Sequence, residues 1–271
     1  MATLNQITPD QLLRLIGTPQ APEIIDVCID EDFDQDPFLI PGSRRHRFDD
    51  LDGFKTIARD RAFIIACQKG KKLSQGVSAW LRSEGYEAEV LSGGKQAWRA
   101  HHNALCLDAR AVPAPVGDAT LWVTRHRPKI DRIACPWLIR RFVDRNARFL
   151  FVPASDVVDV AARFNATPFD VDGVLFSHRH EKCTFDAMLD RFGLASDALD
   201  HMARIVRAAD TDRHDLAPEA AGLHALSIGL SRQYRNDSEQ LKAGLALYDA
   251  LFRWARDGQG EQHHSLKDTA A

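Results

Sequence analysis

Apolar residues in the first third of the chain fall into short, nearly unbroken runs that amphipathic stretches separate. Runs at residues 24–27, 63–67 and 88–91 predict buried strands, because a strand covered on both faces is apolar along its whole length. Before the first run, Thr8 is followed directly by a proline and three residues later by a glutamine, which predicts a capped helix start. Strands that alternate with helices predict a small parallel sheet with helical crossovers.

The pattern changes beyond residue 119, where helix predictions outnumber strand predictions. The predicted strands lie at residues 121–124, 149–152 and 173–177. The predicted helices lie at residues 132–143, 156–164, 184–192, 197–209, 218–234 and 238–256. This part of the chain is therefore predicted to be mainly helical, with a few strands at its beginning.

The segment at residues 107–119 is rich in proline and poor in apolar residues, which predicts a linker between two domains. The fold class we predict is α/β, with a small parallel-sheet domain followed by a mainly helical α/β domain. The first domain would span residues 1–106 and the second residues 120–257. Residues 258–271 are polar and lack periodicity, which predicts a flexible tail.

Composition narrows the setting in which the protein works. A chain of 271 residues is long enough for two domains, and no apolar run is long enough to span a bilayer. Residues 1–10 lack the features of a signal peptide, so we expect a cytoplasmic protein with no membrane partner. Five scattered cysteines predict reduced thiols, and a net charge of −3 gives no general attraction to nucleic acid.

Cys67 stands where the second predicted strand ends and a lysine-rich loop begins. The loop residues that could bind a substrate are Gln68, Lys69, Gly70, Lys71, Lys72, Leu73 and Ser74. Backbone N–H groups at a helix start and three nearby ammonium groups favour an anionic sulfur, which predicts a reactive thiolate. The alternative is that Cys67 is a small buried apolar residue, as most free cysteines are. Packing alone explains the three lysines poorly.

Four stretches of this part of the chain resemble the rhodanese family of sulfurtransferases. They are the first strand at residues 24–27, the Ile-Pro-Gly-Ser turn at 40–43, the cysteine loop and helix at 67–81, and the sequence LSGGKQAW at 91–98. The stretches follow one another in the family's order. The resemblance covers about residues 5–103 and implies a rhodanese-like fold.

The rhodanese resemblance also implies a reaction. Cys67 would attack the outer sulfur of thiosulfate or another sulfane donor and hold that sulfur as a persulfide. Loop amides from Gln68 to Ser74 would bind the substrate, a thiol acceptor would remove the sulfur, and no cofactor would be required. The chain departs from the family at Cys28, where an arginine often stands, and at Leu39, where a histidine is usual.

The second domain begins with a cluster of positive charge between a predicted strand and a predicted helix. Arg125, Lys129 and Arg132 belong to this cluster. A helix N-terminus flanked by arginines can bind an oxyanion, so these three residues are candidates for such a site. The alternative is a solvated basic face, which is what most charge runs form.

A second constellation contains residue types that bind transition metals. His178, Glu181, Cys183 and Asp186 follow one another closely, and Asp210 lies at the end of a later predicted helix. Together they could hold a divalent metal. Their spacing matches no strong metal motif, and helix caps or surface residues are the alternative interpretation.

The second domain looks like the C-terminal domain of the chromate-resistance protein family over about residues 120–257. The resemblance is carried by residues 122–142, by Thr-Pro-Phe-Asp at 167–170 and by Cys-Thr-Phe at 183–185. It implies that chromate or a similar oxyanion is a partner. A DNA-binding segment precedes this domain in the regulators of that family, whereas here a rhodanese-like segment does, so we do not expect direct transcriptional control. Two hypotheses remain: a sulfurtransferase, or an oxyanion- or metal-binding protein that works through its second domain.

Overall fold

The computed structural model describes residues 5–56 and 61–261. Its first part alternates strands and helices, as the apolar runs predict. In chain order the elements are β1 (Gln6–Ile7), α1 (Pro9–Leu15), β2 (Glu23–Asp26), α2 (Asp30–Gln35), β3 (Phe38–Leu39), β4 (Ser43–Arg45), α3 (Leu51–Phe54), β5 (Phe63–Ala66), α4 (Lys72–Ser83), β6 (Ala88–Leu91) and α5 (Gly94–Ala100). The three strands predicted here are present as β2, β5 and β6.

Five of these strands form one parallel sheet in the order β1-β6-β5-β2-β4. The central strands β2 and β5 are almost wholly buried, which explains their continuous apolar sequence. Asp26 at the end of β2 lies beside Ala66 at the end of β5. The chain leaves both strands at the same edge of the sheet, and Cys28 and Cys67 follow there. This is the edge at which ligands bind in parallel sheets.

The predicted start of α1 is confirmed in detail. The Thr8 side chain accepts a hydrogen bond from the backbone N–H of Gln11, and the Gln11 side chain accepts one from the backbone N–H of Thr8 at 2.9 Å. This capping box satisfies two N–H groups that have no partner within the helix. Leu12, on the next turn, is fully buried, so α1 packs against the sheet with its first turn fixed.

Residues 107–119, predicted as a linker, are packed in their first half. β7 (Leu107–Asp108) pairs antiparallel with β3, and a 3-10 turn at Ala109–Ala111 follows. Leu107 and Ala111 are both buried. Residues 107–111 therefore pack with the first domain, because β7 pairs with β3 and two of their apolar side chains are buried.

The second domain combines a small sheet with a group of longer helices. In chain order its elements are β8 (Leu121–Arg125), α6 (Asp131–Leu138), β9 (Arg148–Val152), α7 (Val157–Phe164), β10 (Thr167–Pro168), α8 (Thr184–Phe192), α9 (Asp197–Asp210), α10 (Ala220–Gln233) and α11 (Asp237–Arg253). The sheet is parallel, in the order β10-β8-β9. The predicted fold class is confirmed. No helix within the described ranges is both long and apolar enough to cross a membrane.

One strand prediction in this domain is wrong. Residues 173–177 form no strand; Phe176 makes a single bridge to Phe169, and the third strand of the sheet is β10. The backbone turns sharply at Asp170 and Gly173, both of which have positive φ. The apolar signal at Phe176 reflects burial in the core, where its ring lies 5.5 Å from that of Trp122, and not pairing within a sheet.

The two domains share one apolar core, since the larger cluster of buried side chains contains residues from both. At the contact, the rings of Phe142 and Phe252 pack edge to face at 5.5 Å. The N–H of Gly42 donates to the carbonyl oxygen of Phe142 at 2.7 Å. Gly17 has a φ of +77°, and a Cβ on it would lie 2.5 Å from Phe142 and 2.7 Å from Phe252. Only glycine fits this contact without rearrangement.

We expect Gly17→Ala to lower the free energy of unfolding by about 3 kcal/mol, which combines a strained backbone with an overpacked contact between domains. Urea unfolding followed by circular dichroism measures the loss. Gly85→Ala is the matched control, because Gly85 also has a positive φ, of +85°, but no atom lies within 4 Å of a Cβ built there. That control should lose about 1 kcal/mol. Equal losses in the two variants would contradict the tight contact.

Candidate active site

Cys67 is the first residue after β5 and lies at the carboxyl edge of the main sheet. Its side chain is only 5% exposed, and its Sγ lies 3.1 Å from Oγ of Ser74 in the first turn of α4. The Ser74 hydroxyl also lies 3.1 Å from the carbonyl oxygen of Lys71, to which it can donate. This hydroxyl can therefore accept a hydrogen bond from a thiol or donate one to an anionic sulfur.

The loop after Cys67 is fastened to the beginning of α5. The N–H of Lys95 donates to the carbonyl oxygen of Cys67, and the N–H of Gln96 donates to that of Gln68, each at 3.0 Å. Gly94 allows this approach, because a Cβ at that position would lie 2.2 Å from the Cys67 oxygen. The glycine pair of the LSGGKQAW sequence thus holds the cysteine loop in place.

Most backbone N–H groups of the loop are left without a partner. Those of Gln68, Lys69 and residues 71–74 donate to no other group in the described part of the chain. At the start of α4 this is expected, because the first N–H groups of a helix have no acceptor within it. Free N–H groups in a turn that leads into a helix form an anion-binding arrangement. The loop is therefore equipped to bind negative charge next to Cys67.

The side chains of the loop add charge at the surface. Lys69, Lys71 and Lys72 are exposed, and none of them pairs with an acidic residue in the described ranges. Leu73 packs against the core instead, so it can offer a substrate only its N–H. Gly70 lies close to the backbone of β6 and α5, where a Cβ would come within 2.6 Å of neighbouring atoms. The lysines attract anions to the opening of the site.

A buried ion pair joins β2 to α5 beside this loop. Lys95 Nζ lies 2.7 Å from Asp26 Oδ2 and donates to the carbonyl oxygen of Phe38, also at 2.7 Å. The other Asp26 oxygen accepts from the N–H of Cys28 at 2.9 Å. A cleft of about 430 Å³ borders Cys28, Gln68 and Lys95. It offers space for a small substrate next to the cysteine loop.

The basic cluster of the second domain is largely occupied by internal contacts. Arg125 Nη2 lies 2.8 Å and Arg132 Nε 3.2 Å from the same oxygen of Asp170. Lys129 is exposed and forms no ion pair with a described residue. The two guanidinium groups predicted to bind an oxyanion thus already share a carboxylate. The oxyanion site proposed from the sequence is therefore less open than the charge run indicates.

His178 is the centre of a group of three carboxylates. Its Nε2 lies 3.4 Å from Asp131 Oδ2, 3.5 Å from Asp170 Oδ1 and 3.2 Å from Asp210 Oδ2. Hydrogen bonds to Asp131, Asp170 and Asp210 raise the pKa of His178 to about 12. Burial raises the pKa of Asp131 to about 6. Burial opposes the ionisation of Asp170, but its bonds from His178 and Arg125 outweigh burial and lower the pKa of Asp170.

Only two of the five predicted metal ligands, His178 and Asp210, meet in this group. Cys183 is the N-cap of α8 and is fully buried, and Asp186 accepts from the N–H of Cys183 while pairing with Arg207 at 2.9 Å. Glu181 is exposed and belongs to neither of the convergent sets of ligand atoms found among the described residues. For Cys183 and Asp186 the capping interpretation describes the structure better than the metal-ligand one.

Sequence reasoning missed Asp131 and Asp170. Asp131 begins α6, where an acidic residue is common for reasons of helix stability alone. Asp170 follows β10 at a turn, again an ordinary place for aspartate. The available signals were weak: Asp131 follows a stretch rich in basic residues, and Asp170 follows the end of a parallel strand. Asp170 lies eight residues before His178, but Asp131 lies 47 residues before it, so only the fold brings Asp131 to the other two.

Family models match both parts of the chain. The model described as the rhodanese-like domain matches residues 8–101, and the model described as ChrB, C-terminal domain matches residues 122–255. The chain joins a rhodanese-like domain to a ChrB C-terminal domain. The Cys67 loop lies in the rhodanese-like domain and the His178 group in the ChrB C-terminal domain. The resemblances stated from sequence motifs are thereby confirmed.

Individual relatives are each similar to a part of this chain. Protein ChrB of Cupriavidus metallidurans is 34% identical over 132 residues, which are 48% of this chain and 39% of that protein. A rhodanese-like domain protein from Staphylococcus aureus covers 35% of this chain and 91% of its own, at 26% identity and a TM-score of 0.32. A rhodanese homolog from Thermus thermophilus covers 34% and 98%, at 26% identity and a TM-score of 0.28. The chain thus spans less than half the length of the ChrB relative.

Among the five cysteines we expect Cys67 to react fastest with iodoacetamide at neutral pH. Burial raises the pKa of Cys28, Cys106, Cys135 and Cys183, whereas Cys67 is followed in the chain by free N–H groups and exposed lysines. The thiolate is the reacting form, so labelling should follow these surroundings more than exposure. Timed labelling with peptide mass spectrometry measures the rates. Faster labelling of Cys106, which is more exposed than Cys67, would contradict this assignment.

Proposed function

We propose that this protein is a sulfurtransferase that carries sulfane sulfur as a persulfide on Cys67 and acts in chromate resistance. The supporting observation is the set of unpaired backbone N–H groups that follows Cys67 from Gln68 into the first turn of α4. A sulfur that must alternate between thiolate and persulfide is negatively charged in both states. Fixed N–H donors stabilise that charge in each state without rearranging.

The reaction has two displacement steps at sulfur. In the first, the Cys67 thiolate attacks the outer sulfur of thiosulfate, the S–S bond of the donor breaks, and sulfite leaves with the bonding electron pair. In the second, an acceptor thiolate attacks the outer sulfur of the persulfide, and the Cys67 thiolate is released. No net oxidation or reduction of the enzyme takes place, and no cofactor is needed for either step.

Two features of the site serve these steps. The exposed lysines attract the dianionic donor, although each exposed charge contributes no more than about 1 kcal/mol. The Ser74 hydroxyl, 3.1 Å from Sγ, can donate to the sulfur when it becomes the leaving group of the second step. A hydrogen bond to a charged group is worth about 1.5–3 kcal/mol. Ser74 therefore contributes more than any single lysine does.

The alternative function places the activity in the ChrB C-terminal domain, as a binding site for an oxyanion or a metal. Since Arg125 and Arg132 already contact Asp170, the geometry favours a cation over an anion there. A cation site would not replace the sulfurtransferase proposal, because it uses residues of the other domain. Chromate, a tetrahedral dianion, remains a candidate partner of the protein through the proposed role in resistance.

Intact-mass spectrometry after incubation with thiosulfate tests the proposal. Wild-type protein should gain the mass of one sulfur atom, and cyanide should remove it as thiocyanate. Cys67→Ser should gain none and lose the thiocyanate-forming activity, because the thiolate that attacks the donor is removed. Cys106→Ser is the matched control, since it removes a more exposed cysteine outside the loop and should leave loading unchanged.

Two outcomes of this experiment would contradict the proposal. In one, Cys67→Ser loads sulfur as well as the wild type does. In the other, the folded wild-type protein, with circular dichroism confirming its structure, gains no sulfur from either thiosulfate or inorganic polysulfide. The use of two donors separates a wrong donor from a wrong reaction class.

A further inference from the structure

Four side chains from separate parts of the ChrB C-terminal domain converge on one point. Asp131 begins α6, Asp170 follows β10, His178 lies in the connection before α8, and Asp210 ends α9. The Nε2 atom of His178 lies 3.2–3.5 Å from one oxygen of each carboxylate. The ligand atoms of Asp131, Asp170 and His178 all lie within 4.8 Å of one another. The fold thus gathers two carboxylate oxygens and one nitrogen within that distance, and Asp210 reaches the same nitrogen from α9.

The separations of His178 Nε2 from the three oxygens are compatible with ligands around one metal ion. With metal–ligand bonds of about 2.1 Å, neighbouring ligand atoms are about 3.4 Å apart in a tetrahedral site and about 3.0 Å apart in an octahedral one. The distances from Nε2 to the three oxygens fall close to this range. They are longer than the 2.7–2.9 Å, roughly, that is usual for hydrogen bonds between charged partners.

Hydrogen bonding within the group leaves part of it unsatisfied. An imidazole nitrogen carries at most one hydrogen, so Nε2 can donate to only one of three carboxylates at a time. Both arginines of the site contact Asp170, which leaves Asp131 and Asp210 with His178 as their only cationic partner among the described residues.

Asp131 gives an independent indication of a cation site. Asp131 is only 1% exposed. Its Oδ2, the oxygen nearest His178, also accepts a hydrogen bond from the N–H of Thr184. Its other oxygen, Oδ1, is buried and has no hydrogen-bond partner among residues 5–56 and 61–261. A buried carboxylate oxygen without a partner is unfavourable unless another group compensates for its lost hydration. A bound cation would supply that compensation.

The group is also accessible from outside. The His178 side chain is 40% exposed and that of Asp210 20%, whereas Asp131 and Asp170 are deeply buried. A cleft of about 320 Å³ borders Arg125, Asp170 and His178. An ion can therefore enter from the side of His178, and a water or a small anion could complete its coordination there.

We propose that Asp131, Asp170 and His178 bind a divalent first-row transition metal, with Asp210 as the further carboxylate that completes its coordination, and that Mn²⁺ is the best match. Three carboxylates and one imidazole suit Mn²⁺ or Fe²⁺, whereas Ca²⁺ and Mg²⁺ bind almost entirely through oxygen. The proposal uses residues of the second domain alone. It stands or falls independently of sulfur transfer at Cys67.

Calorimetry on the full-length, chelator-treated protein tests the site, with Mn²⁺ as the titrant and Mg²⁺ as the comparison. We expect one Mn²⁺ per chain, a much weaker response to Mg²⁺, and a higher melting temperature with Mn²⁺ present. His178→Ala and Asp131→Asn should each weaken Mn²⁺ binding by about tenfold or more. His178 is partly exposed, so its variant should fold even where a change at buried Asp131 does not.

A second set of ligand atoms provides the matched control. Asp212, His214 and His224 also converge, with His214 Nε2 3.2 Å from His224 Nδ1. His224→Ala removes an imidazole from that set and should leave Mn²⁺ binding unchanged. Loss of binding in His224→Ala with retention in His178→Ala would overturn the proposal. So would the absence of Mn²⁺ binding by the wild-type protein, or a pulsed electron paramagnetic resonance spectrum of bound Mn²⁺ that retains its imidazole nitrogen coupling in His178→Ala.

Discussion

The candidate chemistry of the rhodanese-like domain depends on one interaction, the attachment of the cysteine loop to the first turn of α5. Two N–H groups of α5 hold the carbonyl oxygens of Cys67 and Gln68, so those oxygens face α5. The N–H groups that follow then have no internal acceptor and remain free for an anion. The close approach requires Gly94, whose lack of a side chain lets the two segments touch. The buried pair of Lys95 and Asp26 fixes α5 to the central sheet.

A single helical segment links the acidic group of the second domain to the contact between the domains. Helix α6 begins at Asp131, in the acidic group of the ChrB C-terminal domain, and continues into a π-helical turn that contains Phe142. Phe142 in turn contacts Gly17 and accepts from the N–H of Gly42 in the rhodanese-like domain. One continuous helical segment therefore reaches from the acidic group to the domain contact. The two parts are packed as a unit through a shared apolar core, not tethered by a free linker.

The sequence predicts well wherever structure and chemistry are local. The strand, loop and helix around Cys67 follow from an apolar run, a lysine-rich loop that contains a glycine, and the start of a helix, all within about twenty residues of one another. Prediction fails where contacts are long-range. Asp131 and Asp170 each occupy a position where aspartate is ordinary, and only the packing of α6, α9 and β10 brings them to His178. The false strand around Phe176 has a similar cause, because burial in a core and pairing in a sheet leave the same apolar signal.

The central claim is that the free backbone N–H groups after Cys67 bind the negative charge carried by its sulfur. Amide nuclear magnetic resonance of the ¹⁵N-labelled protein before and after thiosulfate treatment measures this most directly. The account predicts that the largest shifts fall on the amides of residues 68–74 and that cyanide reverses them. If mass spectrometry shows sulfur on Cys67 but the amide signals of residues 68–74 do not move, the claim is contradicted.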